Sequence, residues 1–222
     1  MAFIELKDVF MEYKLGRTLY PALRGVDLDV NKGEFIAIVG PSGSGKSTLI
    51  HVIAGISVPT RGTVRVDGVE ISNKSDSWRV RWRRKNIGIV FQFLHLIPVL
   101  TVIENIIFPM ELAGIPREIR KTRAIELLRF IGLEDKINRF PSELSGGEQQ
   151  RVAIARALAA DPPIILADEP TANLDSENKM KVMELLKKAN DRGKTILYTT
   201  HDLEVAELAD RILRLRDGRI EG

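Results

Sequence analysis

The chain has 222 residues, 44% of them hydrophobic and 28% charged, with 33 Lys and Arg against 30 Asp and Glu. That length can bury a sizeable core, and the composition excludes wholesale disorder, collagen and coiled coil. Cysteine is absent, which removes disulfide scaffolds and thiolate chemistry, and a net charge of +3 is too small to argue for nucleic acid by itself.

The opening segment MAFIELKDVF has no basic flank followed by an apolar stretch, so no signal peptide is expected. Ile4 to Val9 alternates apolar and polar residues, as does Val26 to Val30 before the turn Asn31-Lys32-Gly33, and both read as strands. Phe35-Ile36-Ala37-Ile38-Val39 is apolar throughout, the pattern of a central strand covered on both faces. A glycine-rich loop follows, then a helix from about Lys46 to Ala54 that stops at Gly55. Thr63 to Val66 and Val69 to Ile71 flank Asp67-Gly68, a two-residue hairpin signal. Residues 86–103 carry no formal charge, which approaches the length of a membrane-spanning helix. Gln92, Pro98 and Thr101 interrupt them, and Ile87 to Phe91 reads as a buried strand before a loop, so a soluble protein is expected.

From about Leu94 to Ala160 helical periodicity dominates, with an amphipathic helix over Arg120 to Ile131 and another over Glu148 to Ala160. Ile164 to Ala167 and Thr195 to Thr199 are two more apolar strands, separated by a helix over about Glu177 to Asn190. Strand–helix–strand alternation at both ends implies a parallel sheet with crossover helices. The expected fold is a discontinuous α/β core with an N-terminal antiparallel portion and an inserted helical subdomain.

Gly40-Pro41-Ser42-Gly43-Ser44-Gly45-Lys46-Ser47-Thr48 matches G-x-x-x-x-G-K-[ST] between an apolar strand and a helix. Glycines let successive backbone N–H groups turn inward around phosphates, and the helix N-terminus adds its positive dipole end. Lys46 can reach the β- and γ-phosphates and the Ser47 hydroxyl can ligate Mg2+. A nucleoside triphosphate is the expected ligand.

Asp168 and Glu169 end the apolar run Ile164-Ile165-Leu166-Ala167, at the strand end that adjoins the phosphate loop in a parallel sheet. Two adjacent carboxylates after a dry strand repel unless a cation or solvent sits there. Asp168 is expected to hold Mg2+, and Glu169 to orient or deprotonate the attacking water.

The segment LSGGEQQR, residues 144–151, combines the cap Ser145 with Glu148 three residues on, a capping box, and leaves the N–H groups of Gly146 and Gly147 bare. It forms a second anion-binding helix terminus. With this string the chain resembles the ATP-binding cassette (ABC) ATPases, whose signature is of the LSGG type, and the resemblance covers nearly the whole chain. It implies an α/β fold with a P-loop NTPase (RecA-like) core, an N-terminal antiparallel β subdomain and an inserted α-helical subdomain. The core would take residues 1–93 and 160–222, and the helical insert carrying the signature residues 94–159. Within the family, GPSGSGKST, IGIVFQFLHLIPVLTVIEN and LADEPTANLD are most similar to the lipoprotein-release, macrolide-export and cell-division ATPases, although amino-acid importers share such features.

The resemblance implies roles for further residues. Tyr13 lies where the family stacks an aromatic on adenine, with Tyr20 a less well-spaced alternative, and Gln92 takes the place of the glutamine that reaches Mg2+ and the attacking water. Asn173-Leu174-Asp175 resembles the D-loop, although serine or glycine plus alanine is commoner there than Ala172-Asn173. His201 takes the place of the switch histidine that contacts the γ-phosphate. The implied cofactors are ATP and Mg2+. ATP would be held by Tyr13, Gly40, Ser42, Gly43, Ser44, Gly45, Lys46, Ser47, Thr48, Gln92 and Asp168, and Mg2+ by Ser47, Gln92 and Asp168. Glu169, His201, Gln92 and Lys46 are the implied catalytic residues. Ser145, Gly146, Gly147 and Asp175 are implied to act in trans, on ATP bound by a second copy, so that two copies close head to tail around two ATP. An integral membrane permease-type subunit is the other implied partner, which would place this chain in the cytoplasm, peripheral on the inner face of the cell membrane. Phe93 to Pro98, just beyond Gln92, is the candidate docking rim.

Two other classes of function compete. Asn73-Lys74-Ser75-Asp76 spells the N-K-x-D guanine-recognition string, but lies between a hairpin and a charged helix rather than after a late core strand, so a GTPase is disfavoured. Trp78-Arg79-Val80-Arg81-Trp82-Arg83-Arg84-Lys85 mixes aromatics with bases as a nucleic-acid groove does. A solvated basic helix is the preferred reading, and no nucleic-acid partner is expected.

Overall fold

The computed structural model describes residues 2–16 and 18–221. The chain opens with two long antiparallel strands, β1 (Ile4–Leu15) and β2 (Thr18–Val30), paired from Ile4 opposite Val30 to Leu15 opposite Thr18 with shifts of register between Leu6 and Glu12. They run well beyond the alternating stretches visible in the sequence. The first residues of β2 are exposed on both faces, so they carry no two-residue hydrophobic period. Next come β3 (Phe35–Val39), buried along its whole length, and α1 (Lys46–Ile53). β4 (Arg61–Val66) and β5 (Val69–Glu70) turn through Asp67 and Gly68, both at positive φ, as a two-residue hairpin requires. β4 pairs with β1, which completes a four-stranded antiparallel sheet in the order β2-β1-β4-β5.

Ser75 caps α2 (Asp76–Asn86), which leads into β6 (Ile87–Val90). Three helices then separate β6 from β7 (Ile164–Ala167): α3 (Val102–Leu112), α4 (Arg117–Ile131) and α5 (Gly146–Leu158). α3 falls in the segment where helical periodicity dominates but was not singled out as an element; it contains Pro109, and a complete capping box between Thr101 and Glu104 starts it. After β7 come α6 (Ser176–Asp191), β8 (Thr195–Thr200), the short α7 (Leu203–Ala206), β9 (Arg211–Arg216) and β10 (Arg219–Glu221). The six-stranded sheet has the order β10-β9-β3-β8-β7-β6, parallel except for the edge strand β10.

Alternate residues of the parallel strands feed two cores. Phe35, Ala37, Ile165 and Tyr198 face α3, α5 and α6, while Ile36, Ile38, Leu166 and Leu197 face α1 and the antiparallel sheet. A strand such as β3, buried on both faces, stabilises the centre of the molecule by roughly 2 kcal/mol for each large apolar side chain. Among the described residues no helix is long and apolar enough to cross a membrane.

Candidate functional site

The loop between β3 and α1 is clamped from two sides. A Cβ at Gly40 would lie 2.1 Å from the Leu215 carbonyl oxygen, and one at Gly45, where φ is 105°, would lie 2.5 Å from that of Ala22. Only glycine allows backbone from β2 and β9 to approach so closely. The Gly218 N–H donates to the Ser44 carbonyl at 3.0 Å, and the Arg24 N–H to the Gly218 carbonyl at 2.8 Å. Inside this cradle Lys46 is only 8% exposed, and its ammonium donates to the Gly40 and Pro41 carbonyls at 2.8 and 3.1 Å. Those partners are neutral, and a buried cation with neutral partners alone is costly. The Ser44 hydroxyl is buried and has no hydrogen-bond partner among the described residues. An uncompensated ammonium, an orphaned hydroxyl and a helix N-terminus on one concave loop fit a polyphosphate.

The second half of the site comes from strand ends. Because β8 lies between β3 and β7, the residues after β7 and β8 emerge beside the phosphate loop. Asp168 is buried; its backbone N–H donates to the Val90 carbonyl at 2.8 Å, and its Oδ1 accepts from the Thr199 hydroxyl at 2.6 Å. Glu169 sits at φ 48°, and its N–H donates to the Thr199 Oγ1 at 2.9 Å. His201 Nδ1 lies 2.9 Å from Glu169 Oε2.

A cavity of about 400 Å³ gathers most of the residues expected from the sequence: Tyr13, Ser42, Gly43, Gly45, Lys46, Ser47, Thr48, Gln92, Glu169 and His201 line it, with Tyr20 and Ala22. Tyr13 and Tyr20 are direct cross-strand partners, half exposed at its rim, so both rings are available to a flat base. Asp168 lies behind the wall, reached through Thr199 and Glu169. Its carboxylate, the Ser47 hydroxyl and Gln92 are oxygen donors of the hard type that suits Mg2+. A larger cleft of about 620 Å³ opens between α4 and α6, where Asp161 pairs with both Arg123 and Lys194; it contains no phosphate loop or paired carboxylates.

Ser145, Gly146, Gly147 and Asp175 are not on this cavity. Ser145 caps α5, accepting from the Glu148 N–H at 3.3 Å, while the Glu148 carboxylate accepts from the Ser145 N–H at 2.8 Å. That backbone bond holds the Glu148 carboxyl below the usual range. Asp175 caps α6, accepting from the backbone and side-chain amides of Asn178 at 2.8 and 2.7 Å. Asn178 also packs on Gly147 and accepts from Arg151 at 3.3 Å, so the start of α5 and the turn at Asp175 form one surface.

Several connecting residues were not singled out from sequence. Arg156, on α5, donates to the carbonyls of Leu94, at 2.7 Å, and His95, and burial lowers its pKa. Asn105, with no exposed surface, accepts from the Ile97 N–H at 2.8 Å and donates to the carbonyls of Ile97, Leu100 and Thr101. The loop after Gln92 is thus hung from α3 and α5, with Phe93 73% exposed at its start. Lys179, on α6, pairs with Asp202, the cap of α7. Thr199 is placed by register: β7 and β8 pair up to Ala167 opposite Tyr198, so the next residues, Asp168 and Thr199, lie side by side.

The family model described as ABC transporter matches residues 23–172. An uncharacterised ABC transporter ATP-binding protein of Thermotoga maritima is 50% identical over 219 residues, 99% of this chain and 94% of that protein. The lipoprotein-releasing system ATP-binding protein LolD of Aquifex aeolicus is 48% identical, covering 91% of each. The macrolide export ATP-binding/permease protein MacB of Shigella flexneri is 45% identical over 98% of this chain and 34% of its own length. Among solved structures, the dimeric post-hydrolysis state of the Methanocaldococcus jannaschii ATP-binding cassette MJ0796, bound to ADP and Pi, superposes with a TM-score of 0.92 at 46% identity, over 99% of this chain and 97% of that one. Phosphate loop, strand-end carboxylates and capped signature helix occur on one α/β scaffold with an antiparallel β sheet and a helical insertion, and the chain belongs to the ABC transporter family.

Proposed function

We propose that this protein is the ATP-binding and ATP-hydrolysing subunit of an ABC transporter, and that two copies close head to tail around two ATP to drive a separate membrane permease. The observation that carries the reading is the buried, uncompensated Lys46 sharing one cavity with the Glu169–His201 pair. The solved dimer of the M. jannaschii cassette with ADP and Pi supports the paired arrangement, and the kinship with LolD and MacB supports the permease. The chain then works in the cytoplasm, on the inner face of the cell membrane.

Residues 1–93 and 160–222 serve as the nucleotide-binding unit, and residues 94–159 as the unit that presents the signature. Backbone N–H groups of the loop and the Lys46 ammonium bind the β- and γ-phosphates, with Lys46 exchanging two neutral carbonyls for charged oxygens. Tyr13 or Tyr20 stacks on adenine. Ser47, Asp168 and Gln92 would hold Mg2+, which when bound neutralises phosphate charge. Glu169 orients water in line with the γ-phosphorus and takes its proton as the new P–O bond forms and the bond to the β–γ bridging oxygen breaks. His201 holds the Glu169 carboxylate through Nδ1 and turns Nε2 towards the phosphate. Positioning and charge stabilisation supply most of the rate. The surface formed by the exposed Ser145, Gly146 and Asp175, with Gly147 buried beside them against Asn178, offers the bare N–H groups at the start of α5 to the partner's nucleotide. The apolar rim around Phe93, beside Gln92, meets the permease. No nucleic-acid role is proposed: Trp78 and Trp82 stack on each other at 6.1 Å and pack on the core.

The test is ATP turnover against protein concentration, with molecular mass followed in parallel. Turnover that rises as dimers form is expected, and full-rate hydrolysis by a protein that stays monomeric would refute the sandwich.

A further inference from the structure

Thr199 has no exposed surface and uses its single hydroxyl twice. It donates its one proton to Asp168 Oδ1 at 2.6 Å and accepts the Glu169 N–H at 2.9 Å. The two roles are compatible only in this sense, because an ionised carboxylate can only accept and a peptide N–H can only donate. Two consequences follow for the acids. The bond ties Oδ1 to Thr199 and leaves Oδ2, which has no protein partner among the described residues, as the oxygen freer to meet a cation. Glu169 sits at φ 48°, where a residue with a side chain is strained and stays only if its surroundings hold it. The bond from its N–H to Thr199 is such a hold, and its carboxylate is then presented to His201 at 2.9 Å. One hydroxyl therefore sets the geometry of both acids, from a neighbouring strand.

We propose that Thr199 is a positioning residue for hydrolysis: its hydroxyl fixes which oxygen of Asp168 faces Mg2+ and keeps the strained Glu169 peptide aimed so that its carboxylate meets the water. This deepens the proposed function and rests on its assignment of Asp168 to the metal and Glu169 to the water. Thr199→Val keeps the shape and the β-branch favoured in a buried strand while removing the hydroxyl alone. Asp168 Oδ1 and the Glu169 N–H are both left unpaired.

The test uses the full chain as parent, Thr199→Val, Thr199→Ser and Glu169→Gln. Three quantities are read: kcat and KM for ATP; affinity for ATP in excess chelator by calorimetry; and the gain in that affinity on adding Mg2+. The expected result for Thr199→Val is chelator-phase ATP affinity within about twofold of the parent, because the phosphate loop is untouched. Its kcat falls by about tenfold or more, and the Mg2+ gain shrinks several-fold, as lost orientation and two unpaired buried groups imply. Thr199→Ser recovers most of both. Parental kcat and Mg2+ gain in Thr199→Val, with Glu169→Gln inactive, overturn the inference and leave the proposed function standing. A parallel loss in chelator-phase affinity and melting temperature, with kcat and Mg2+ gain unchanged, reduces Thr199 to a packing residue and likewise overturns it. Full turnover by Glu169→Gln overturns the underlying assignment instead. If Thr199→Val does not fold, Thr199→Ala against Thr199→Ser makes the same comparison of hydroxyl absent and present.

Discussion

The Nδ1 of His201 and the Oε2 of Glu169 lie 2.9 Å apart, across the ends of two neighbouring parallel strands. An ionised carboxylate can only accept, so Nδ1 carries the proton of this bond and Nε2 is left for another partner. Replacing Glu169 by Gln keeps the shape and removes the base. Turnover is expected to fall by roughly 10²–10⁴-fold, the usual worth of a general base, while ATP binding persists. An ATP-stabilised dimer on size exclusion is the second expected result; equal turnover in mutant and parent would remove Glu169 from its role.

Lys46→Ala removes the ammonium that Gly40 and Pro41 hold in the loop. The fold should tolerate this well, since a cation with no anionic partner leaves the interior. Affinity for ATP should drop at least tenfold by calorimetry, with melting temperature unchanged or raised. Unchanged affinity would contradict the phosphate-loop assignment.

Ser145→Arg loses the cap of α5, at a cost of about 1 kcal/mol in chemical denaturation. Because Ser145 is not on the phosphate-loop cavity, ATP affinity of the monomer should stay at the parental value. Placed in the Glu169→Gln background, the same change should abolish the ATP-dependent dimer. A normal dimer there would show that α5 does not meet the partner's nucleotide.

Lys179 holds the Asp202 carboxyl below the usual carboxylate range, and Asp202 raises the Lys179 ammonium above its own. A depressed acid contributes stability that is present above about pH 4 and lost as pH falls through its lowered folded value. A raised lysine contributes below about pH 10.4 and loses this as pH climbs through its raised one. The difference in melting temperature between parent and Lys179→Met should therefore be flat between those limits and shrink at both extremes. A difference that peaked at acid pH would assign the effect to something other than this pair.

Arg156→Leu removes two charged hydrogen bonds, to Leu94 and His95, from a largely buried guanidinium. Charged hydrogen bonds of this kind are worth about 1.5–3 kcal/mol each, so a loss of that order should appear in urea unfolding. The loop beyond Gln92 would be freed from α5, and amide exchange of residues 94–96 should accelerate. Protection equal to the parent would mean that Asn105 alone secures the loop.

Legibility in the sequence followed how local the physics was. β3 and the glycine-rich loop could be read directly, because an unbroken apolar run and a fixed glycine spacing are properties of adjacent residues. The α5 cap was readable for the same reason, since Ser145 and Glu148 satisfy each other. The outer parts of β1 and β2 were not, because their side chains meet solvent on both faces. α3 was not singled out because Pro109 sits inside it and its capping box at Thr101 follows directly on a loop-like run. β9 and β10 went unread as well, although Leu213-Arg214-Leu215-Arg216 alternates in the same way as Ile4 to Val9. At the site, the phosphate loop and the paired carboxylates were recognisable by type and spacing and Tyr13, Gln92 and His201 by the family resemblance, whereas Thr199, Arg156 and Lys179 act on partners 23 to 62 positions away and Asn105 ties down a loop of no regular structure. Only strand order and helix packing bring those partners within reach.

The Ala22 and Leu215 carbonyls and the Gly218 N–H that shape the phosphate loop come from segments far apart, one upstream and two well downstream of the loop itself. During synthesis on the ribosome, the loop therefore emerges long before the backbone that finishes its walls. A nascent chain halted before β9 would own the whole glycine motif and still grip nucleotide poorly, so affinity should appear abruptly once Leu215 and Gly218 have emerged.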